Sequence, residues 1–393
     1  MTSLPTRTAP PVAPASSASP TSASPAAVPA AAAPVAASPA GAVRAARLPP
    51  LGPAWYPAVM GTGILGTLLQ TCAERVPWAQ DAALVPLVLC WSLLVVLTGG
   101  FLRRIVRDRA AFTDTVRDLA TVPLWGTVAM GVLSVGSCTA TVVPARWPGL
   151  SGIAWTVDGV LWVIGTLIGV VAALGFGARL VARDCGAPTT VWGLAVVGPM
   201  VSATTGAALV PHLAGPMRVW LLLAAVACFF LSLFVGTIVF AVAYHHHWRV
   251  APIPVAASAS AWIPLGMVGQ STAAAQSIAL RARPMLAVPA ADAVQQAANL
   301  YGFVMLAIGV PLVIWATVVT VRGFRRRMPF SPGWWALTFP IGTLALGAWQ
   351  LGHGSGLPAV TTLGVLATGV LCGTVALCLV ASARGIATRG LAR

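Results

Sequence analysis

Residues 218–243 read RVWLLLAAVACFFLSLFVGTIVFAVA, and after Arg218 no charged side chain interrupts them. A helix of about 20 apolar residues crosses the ~30 Å hydrocarbon core of a bilayer. This stretch is longer than that, and it decides the class of fold. Outward from it the pattern recurs, with predicted spans at 54–73, 80–102, 120–143, 155–177, 191–212, 218–243, 258–280, 297–321, 333–352 and 358–383. Ten transmembrane helices follow.

Composition agrees. The 393 residues are 58% hydrophobic and 8% charged, with a mean hydropathy of +0.87. A soluble domain carries roughly 25% charged residues, so this chain lacks the polar side chains to cover a surface in water. The net charge of +15 comes from 23 basic residues, all arginine, against 8 acidic ones. Such a balance invites a nucleic-acid reading, but the arginines are strung between apolar spans and do not gather on one amphipathic face. No nucleic-acid partner is expected, whereas membrane lipid is.

With the N-terminus inside, 18 arginines fall in inner segments and 5 in outer loops. This bias fits the positive-inside rule with both termini cytoplasmic in a cytoplasmic membrane. An odd number of spans would scramble it. Trp55, Trp78, Trp147, Trp220, Trp248, Trp334 and Trp335 lie near span ends, where amphipathic rings suit the headgroup level. Three regions result: an Ala/Pro/Ser-rich disordered cytoplasmic tail at 1–50, a membrane domain at 51–385, and a short basic tail at 386–393. Proline breaks the tail throughout, so it cannot bury enough surface to order itself.

One proline recurs in every odd-numbered span. Pro57, Pro123, Pro199, Pro264 and Pro340 are separated by 66, 76, 65 and 76 residues, about one helical hairpin each. Five related hairpins are the inference. Proline removes an intrahelical hydrogen bond and kinks a helix, and kinks are tolerated in a bilayer where they are buried in protein or line a cavity. Five kinked, glycine-rich helices around an axis would enclose a narrow passage, with the even helices outside.

The acids bear on what that passage carries. Glu74, Asp81, Asp108, Asp114, Asp118, Asp158, Asp184 and Asp292 all read as lying at or near span ends or in loops. Proton pumps and many cation pathways use an intramembrane carboxylate, so its expected absence favours anions or neutral solutes. Arg103, Arg104 and Arg326 stand where they would flank the cytoplasmic mouth. Gln70, Gln270 and Gln350 are intramembrane amides that either line the passage or bond neighbouring helices. His245, His246 and His247 are consecutive and point apart on a helix, so no metal site is assigned. The seven cysteines show no C-x-x-C spacing, and neither disulfide nor cofactor is expected. There is no H-E-x-x-H, P-loop or G-x-S-x-G, and no enzymatic activity is expected.

Three motifs carry a resemblance. Trp55-Tyr56-Pro57-Ala58-Val59-Met60-Gly61-Thr62-Gly63-Ile64 resembles the first helix of the tellurite-resistance/dicarboxylate transporter family, which includes malate transporters, sulfite exporters and slow-type anion channels. Trp262-Ile263-Pro264-Leu265-Gly266-Met267-Val268-Gly269-Gln270 is similar to its seventh-helix motif, and Trp334-Trp335-Ala336-Leu337-Thr338-Phe339-Pro340 to its ninth. One departure is Met267, which follows Gly266 where relatives often place proline. The likeness runs in order over about residues 52–385, and the opening motif leans toward the malate/sulfite branch.

The resemblance implies an all-α integral membrane fold of ten helices, arranged as five hairpins with pseudo-fivefold symmetry around a central pore. It also implies a homotrimer with one pore per subunit, and a phenylalanine gate whose place Phe339 occupies. The pore-lining or kink set is then Pro57, Gly61, Gly63, Pro123, Gly126, Pro199, Pro264, Gly266, Gln270 and Pro340. The expected substrate is a small anion: a C4-dicarboxylate such as malate, sulfite or an inorganic anion. Proton-coupled secondary transport of a dicarboxylate, and a non-transporting sensor or scaffold, are the alternatives.

Overall fold

A computed structural model describes residues 47–392. Most of the tail expected over 1–50 therefore lies outside the described residues. Twelve α-helices are described: α1 (Tyr56–Cys72), α2 (Trp78–Ala82), α3 (Leu84–Arg107), α4 (Ala110–Arg117), α5 (Trp125–Arg146), α6 (Ser151–Ala182), α7 (Gly193–Leu209), α8 (Met217–His245), α9 (Ile263–Ala282), α10 (Val288–Arg325), α11 (Phe339–Ser355) and α12 (Pro358–Arg389). Among the described residues the fold is all-helical and has no strand.

Seven helical stretches are long and apolar enough to cross a membrane: Trp78–Arg107, Val122–Arg146, Pro148–Ala182, Thr190–His212, Met217–Val250, Val288–Arg325 and Pro358–Arg389. The sequence reading expects ten spans. Helices α1, α9 and α11 are present but are not among the seven: α1 and α11 are short, at 17 residues each, and glycine, threonine, serine and glutamine dilute the hydropathy of all three. They can carry such residues because protein surrounds them: in α1 every side chain but Gln70 and Thr71 is buried.

Burial divides the helices into two kinds. The stretches containing α5 and α7 are 72% and 89% buried, whereas those containing α3, α6, α8, α10 and α12 are between 17% and 39% buried. The exposed faces of the latter are apolar at helical spacing, as in Leu167, Val171 and Leu174 on α6 or Phe230, Phe234 and Ile238 on α8. Each well-buried helix packs on the exposed helix that follows it: α1 on α3, α5 on α6, α7 on α8, α9 on α10 and α11 on α12. The buried helices also touch one another in order, α1 with α5, α5 with α7, α7 with α9, α9 with α11, and α11 with α1.

The recurrent prolines do not act as a set of mid-span kinks. A short 3-10 segment precedes each buried helix: Pro53–Trp55 before α1, Val122–Leu124 before α5, Thr190–Trp192 before α7, Val255–Trp262 before α9 and Pro332–Leu337 before α11. Pro57, Pro264 and Pro340 occupy the first turn of α1, α9 and α11, and Pro123 lies within the 3-10 segment before α5. Of the five, Pro199 alone sits inside its helix. The first turn of a helix needs no intrahelical N–H donor, so proline there starts a helix and does not bend one. The repeat is real, and its unit is a break from 3-10 to α geometry.

Two glycines show how closely the buried helices approach. A Cβ at Gly126 of α5 would collide with the Leu194 carbonyl of α7, and one at Gly269 of α9 with the Thr343–Leu344 backbone of α11. Small residues at such crossings replace the hydrophobic drive that a lipid environment withholds.

The ends of the described chain meet. The Leu48 N–H donates to the Gly390 carbonyl at 3.0 Å and the Ala392 N–H to the Leu48 carbonyl at 2.8 Å. Leu48 is 2% exposed, and α12 continues past residue 385 to Arg389, whose Nη2 donates to the Phe330 carbonyl at 2.8 Å. Two of the tryptophans expected at the headgroup level, Trp55 and Trp335, are instead buried in the core, whereas Trp78, Trp147, Trp220 and Trp248 are exposed. Those two follow the 3-10 segments inward and pack between helices.

Candidate functional site

All five buried helices contribute to one cavity of about 200 Å³. Pro57 and Met60 come from α1, Met130 from α5, Leu194 and Val197 from α7, Ile263 and Gly266 from α9, and Phe339 and Pro340 from α11. Leu124, Val191, Ser260, Pro332, Gly333 and Ala336 reach it from the 3-10 segments or their junctions, and Pro49 from the strap before α1. Within the helices these are residues of the first two turns, so the cavity sits where five helix N-termini converge.

That placement fixes its electrostatics. The 3-10 segments accept the first N–H of α1, α5, α7 and α9, Tyr56 donating to Pro53, Trp125 to Pro123, Gly193 to Thr190 and Ile263 to Ser260, while the aligned peptide dipoles still place roughly +0.5 elementary charge at each N-terminus. Among the described residues the lining has no carboxylate, and Ser260 supplies its one hydroxyl. An apolar chamber ringed by partial positive charge, with no fixed negative group, tolerates an anion far better than a cation.

Phe339 is 3% exposed and is the first residue of α11. Its backbone is held from behind. The Thr338 hydroxyl donates to the Trp335 carbonyl at 2.7 Å, and Trp335 Nε1 donates to the Ser382 hydroxyl of α12 at 3.0 Å. The ring lines the cavity from a helix start that these two bonds brace.

Of the residues named from the sequence, Pro57, Gly266, Phe339 and Pro340 line this cavity together. The others do not. Gly61 lies against Thr338, Gly63 against Ser134 of α5, and Gly126 against Leu194 of α7; their missing side chains let helices approach. Pro199 and its neighbour Gly198 pack against Gly169 of α6. Pro123 and Pro264 are buried beside the lining without joining it. Gln270 donates from Nε2 to the Thr204 hydroxyl at 2.8 Å, bridging α9 to α7, while its Oε1 is buried with no partner among the described residues. Arg103 and Arg326 are exposed, and Arg104 is half-buried beside Gly52; none of the three lines the cavity.

Lining residues that sequence reasoning missed include Met60, Met130, Leu194, Val197 and Ile263. A signal existed for some of them. Pro57 and Met60, Leu194 and Val197, and Ile263 and Gly266 are each three residues apart, which places both members of a pair on one helix face. A larger miss is Asp158, expected near a span end. It is 2% exposed on α6 and abuts Gly136 at the middle of α5.

Residues 50–383 match the model of the voltage-dependent anion channel family, and the chain belongs to that family. It is similar to the sulfite efflux pump of Arthroderma benhamiae, at 25% identity over 329 residues covering 79% of this chain and 84% of the relative. The sulfite efflux pump of Trichophyton rubrum is 25% identical over 327 residues, again 79% and 84% of the two chains. An uncharacterized transporter of Methanocaldococcus jannaschii is 26% identical over 301 residues, 74% of this chain and 80% of the relative. The protein is therefore a multi-pass membrane protein of a channel and transporter family, as the three motifs suggested.

Proposed function

We propose that this protein carries small anions across a membrane through a passage framed by α1, α5, α7, α9 and α11, with Phe339 as its gate. The observation that carries the reading is the convergence of five helix N-termini on one cavity free of carboxylates. Sulfite is the first candidate substrate, because relatives of that printed function align over most of the chain; dicarboxylates such as malate follow from the motif resemblance.

The closed order of contacts among the buried helices, and the pairing of each with the next exposed helix, support ten spans arranged as five hairpins about the passage. The excess of arginine in the inner segments supports cytoplasmic termini and a cytoplasmic mouth at the cavity. The arginines lie at or beyond helix ends and form no array within the membrane field, which supports conduction independent of voltage. A homotrimer with one passage per subunit is the assembly we assign.

The ring of Phe339 fills the neck of an apolar passage, and such a constriction excludes water and ions until it moves. Phe339→Ala in proteoliposomes should raise the flux of sulfite, malate or chloride by about tenfold or more, equivalent to ~1.4 kcal/mol off the barrier. Wild-type flux for all three anions would remove the gate.

A further inference from the structure

A second cavity, of about 420 Å³, opens on the lipid-facing surface where α4, the start of α5 and the last half of α6 meet. Its walls are apolar: Phe112 and Val116 come from α4, Val122 from the 3-10 segment before α5, and Leu167, Val171 and Phe176 from α6. Leu167 and Val171 belong to the exposed apolar face of α6, so the groove continues the surface that meets lipid. Gly175 lies on its wall, and a Cβ there would meet nothing within 4 Å. That missing side chain keeps the groove wide.

Two polar groups interrupt the apolar lining, and both are donors. Trp125 and Arg179 line the groove, and the indole Nε1 of one and the guanidinium Nη1 of the other are each buried without an acceptor among the described residues. The indole is held by Phe112, edge-on at 5.7 Å, and by Phe101 at 6.1 Å. Among the described residues no carboxylate lines the groove, and the ion pairs are Arg283–Asp292 and Glu74–His353. The acids that flank α4 are turned to backbone: Asp108 accepts from the Ala110 N–H at 2.9 Å and Asp118 from the Ala120 N–H at 3.1 Å.

A guanidinium N–H and an indole N–H buried in apolar surroundings are costly unless an acceptor meets them. The acceptor that suits a guanidinium is an anionic oxygen, and phosphate fits its fork. The groove sets the rest of the ligand. Arg179 stands near the end of α6, on the side where Arg103, Arg104 and Arg107 close α3 and Arg117 closes α4. From there to Leu167 is 12 residues of helix, about 18 Å, close to the ~15 Å depth of one leaflet. A free anion would leave that apolar length uncovered, whereas a phospholipid brings a charged head and a chain together. We propose that the groove binds an anionic phospholipid, its phosphate on the Trp125 and Arg179 donors and one acyl chain along α6 toward Leu167. Basic pockets between transmembrane helices recognise lipid headgroups in this way. Val122 and Trp125 face the groove while Leu124 between them lines the central cavity, so the lipid braces the start of α5 from outside.

The test uses the full chain in detergent, with phosphatidylglycerol, phosphatidylcholine and inorganic phosphate as probes and bound lipid counted by native mass spectrometry. The wild type should bind one phosphatidylglycerol at least about tenfold more tightly than phosphatidylcholine, the scale of one charge-assisted hydrogen bond. Arg179→Gln should remove that preference, and Gly175→Trp, which fills the groove, should remove the tight site. Excess inorganic phosphate should leave the lipid bound. Equal affinity for the two lipids, wild-type binding by either variant, or displacement by inorganic phosphate, which marks a free-anion site, overturns the proposal. Binding is read without flux, so the outcome stands apart from the anion-transport reading.

Photolabelling of the wild type covers the case in which the variants do not fold. Phosphatidylglycerol with a diazirine on its acyl chain should label peptides spanning 112–125 and 167–179, and unlabelled phosphatidylglycerol should suppress this more strongly than phosphatidylcholine. Label spread evenly over all lipid-facing helices overturns the proposal.

Discussion

Gln270 has satisfied only half of its amide. Its Nε2 is bonded to Thr204 at 2.8 Å, and its Oε1 is buried without a partner. A buried donor left unpaired costs about 1–3 kcal/mol. Thr204→Val should destabilise the protein by about that much, whereas the double variant Thr204→Val/Gln270→Met should return to within ~1 kcal/mol of wild type. Thermal unfolding in detergent reads both, and additive losses would show that the pair does not interact. At this scale the sequence was informative only where a motif or a three-residue spacing spoke. Phe339 was legible from its motif, and Met60 could have been found from its distance to Pro57. Asp158 was not legible. It stands seven residues after the start of α6, which reads as a span end. Its depth is set by α5, whose midpoint it meets, and no local pattern in α6 announces which face does so because both faces are apolar.

Among elements, the tightest constraint is the crossing of α9 and α11. Gly269 lies against the backbone of Thr343 and Leu344, and backbone cannot swing aside as a side chain can. Gly269→Ala should therefore destabilise by about 1–3 kcal/mol, in the range of overpacked cores, although alanine is the better helix former by almost 1 kcal/mol. A Gly269→Ala variant as stable as wild type in the same unfolding assay would mean that the two helices can part without penalty. The elements themselves were largely visible beforehand, since each of the ten predicted spans overlaps a helix. The nature of the proline breaks was not. A proline near the start of an apolar run is compatible with a kinked helix or with a new one, and the 3-10 segments that decide between them have no signature of their own in such small-residue stretches.

For the whole molecule, the alternation of buried and lipid-facing helices explains both what hydropathy sees and what it misses. Helices that meet lipid must be apolar all along one face. Those enclosed by protein trade leucine for glycine and threonine, and so α1, α9 and α11 drop below the hydropathy of a typical span. The proline period, about one helical hairpin long, runs in step with the packing of each buried helix on the exposed helix that follows it. The pairing of Leu48 with Leu391 has a consequence at this scale as well. The described chain returns at Leu391 to the place where it leaves Leu48, so its order of helices is a matter of where the ring of helix contacts was cut. Joining Ala392 to Leu48 through a short glycine-serine bridge, omitting residues 1–47 and Arg393, and reopening the chain between α6 and α7 would move α1 to α6 to the far end without reversing any helix. Such a permutant should insert, fold and carry the same anions as its parent.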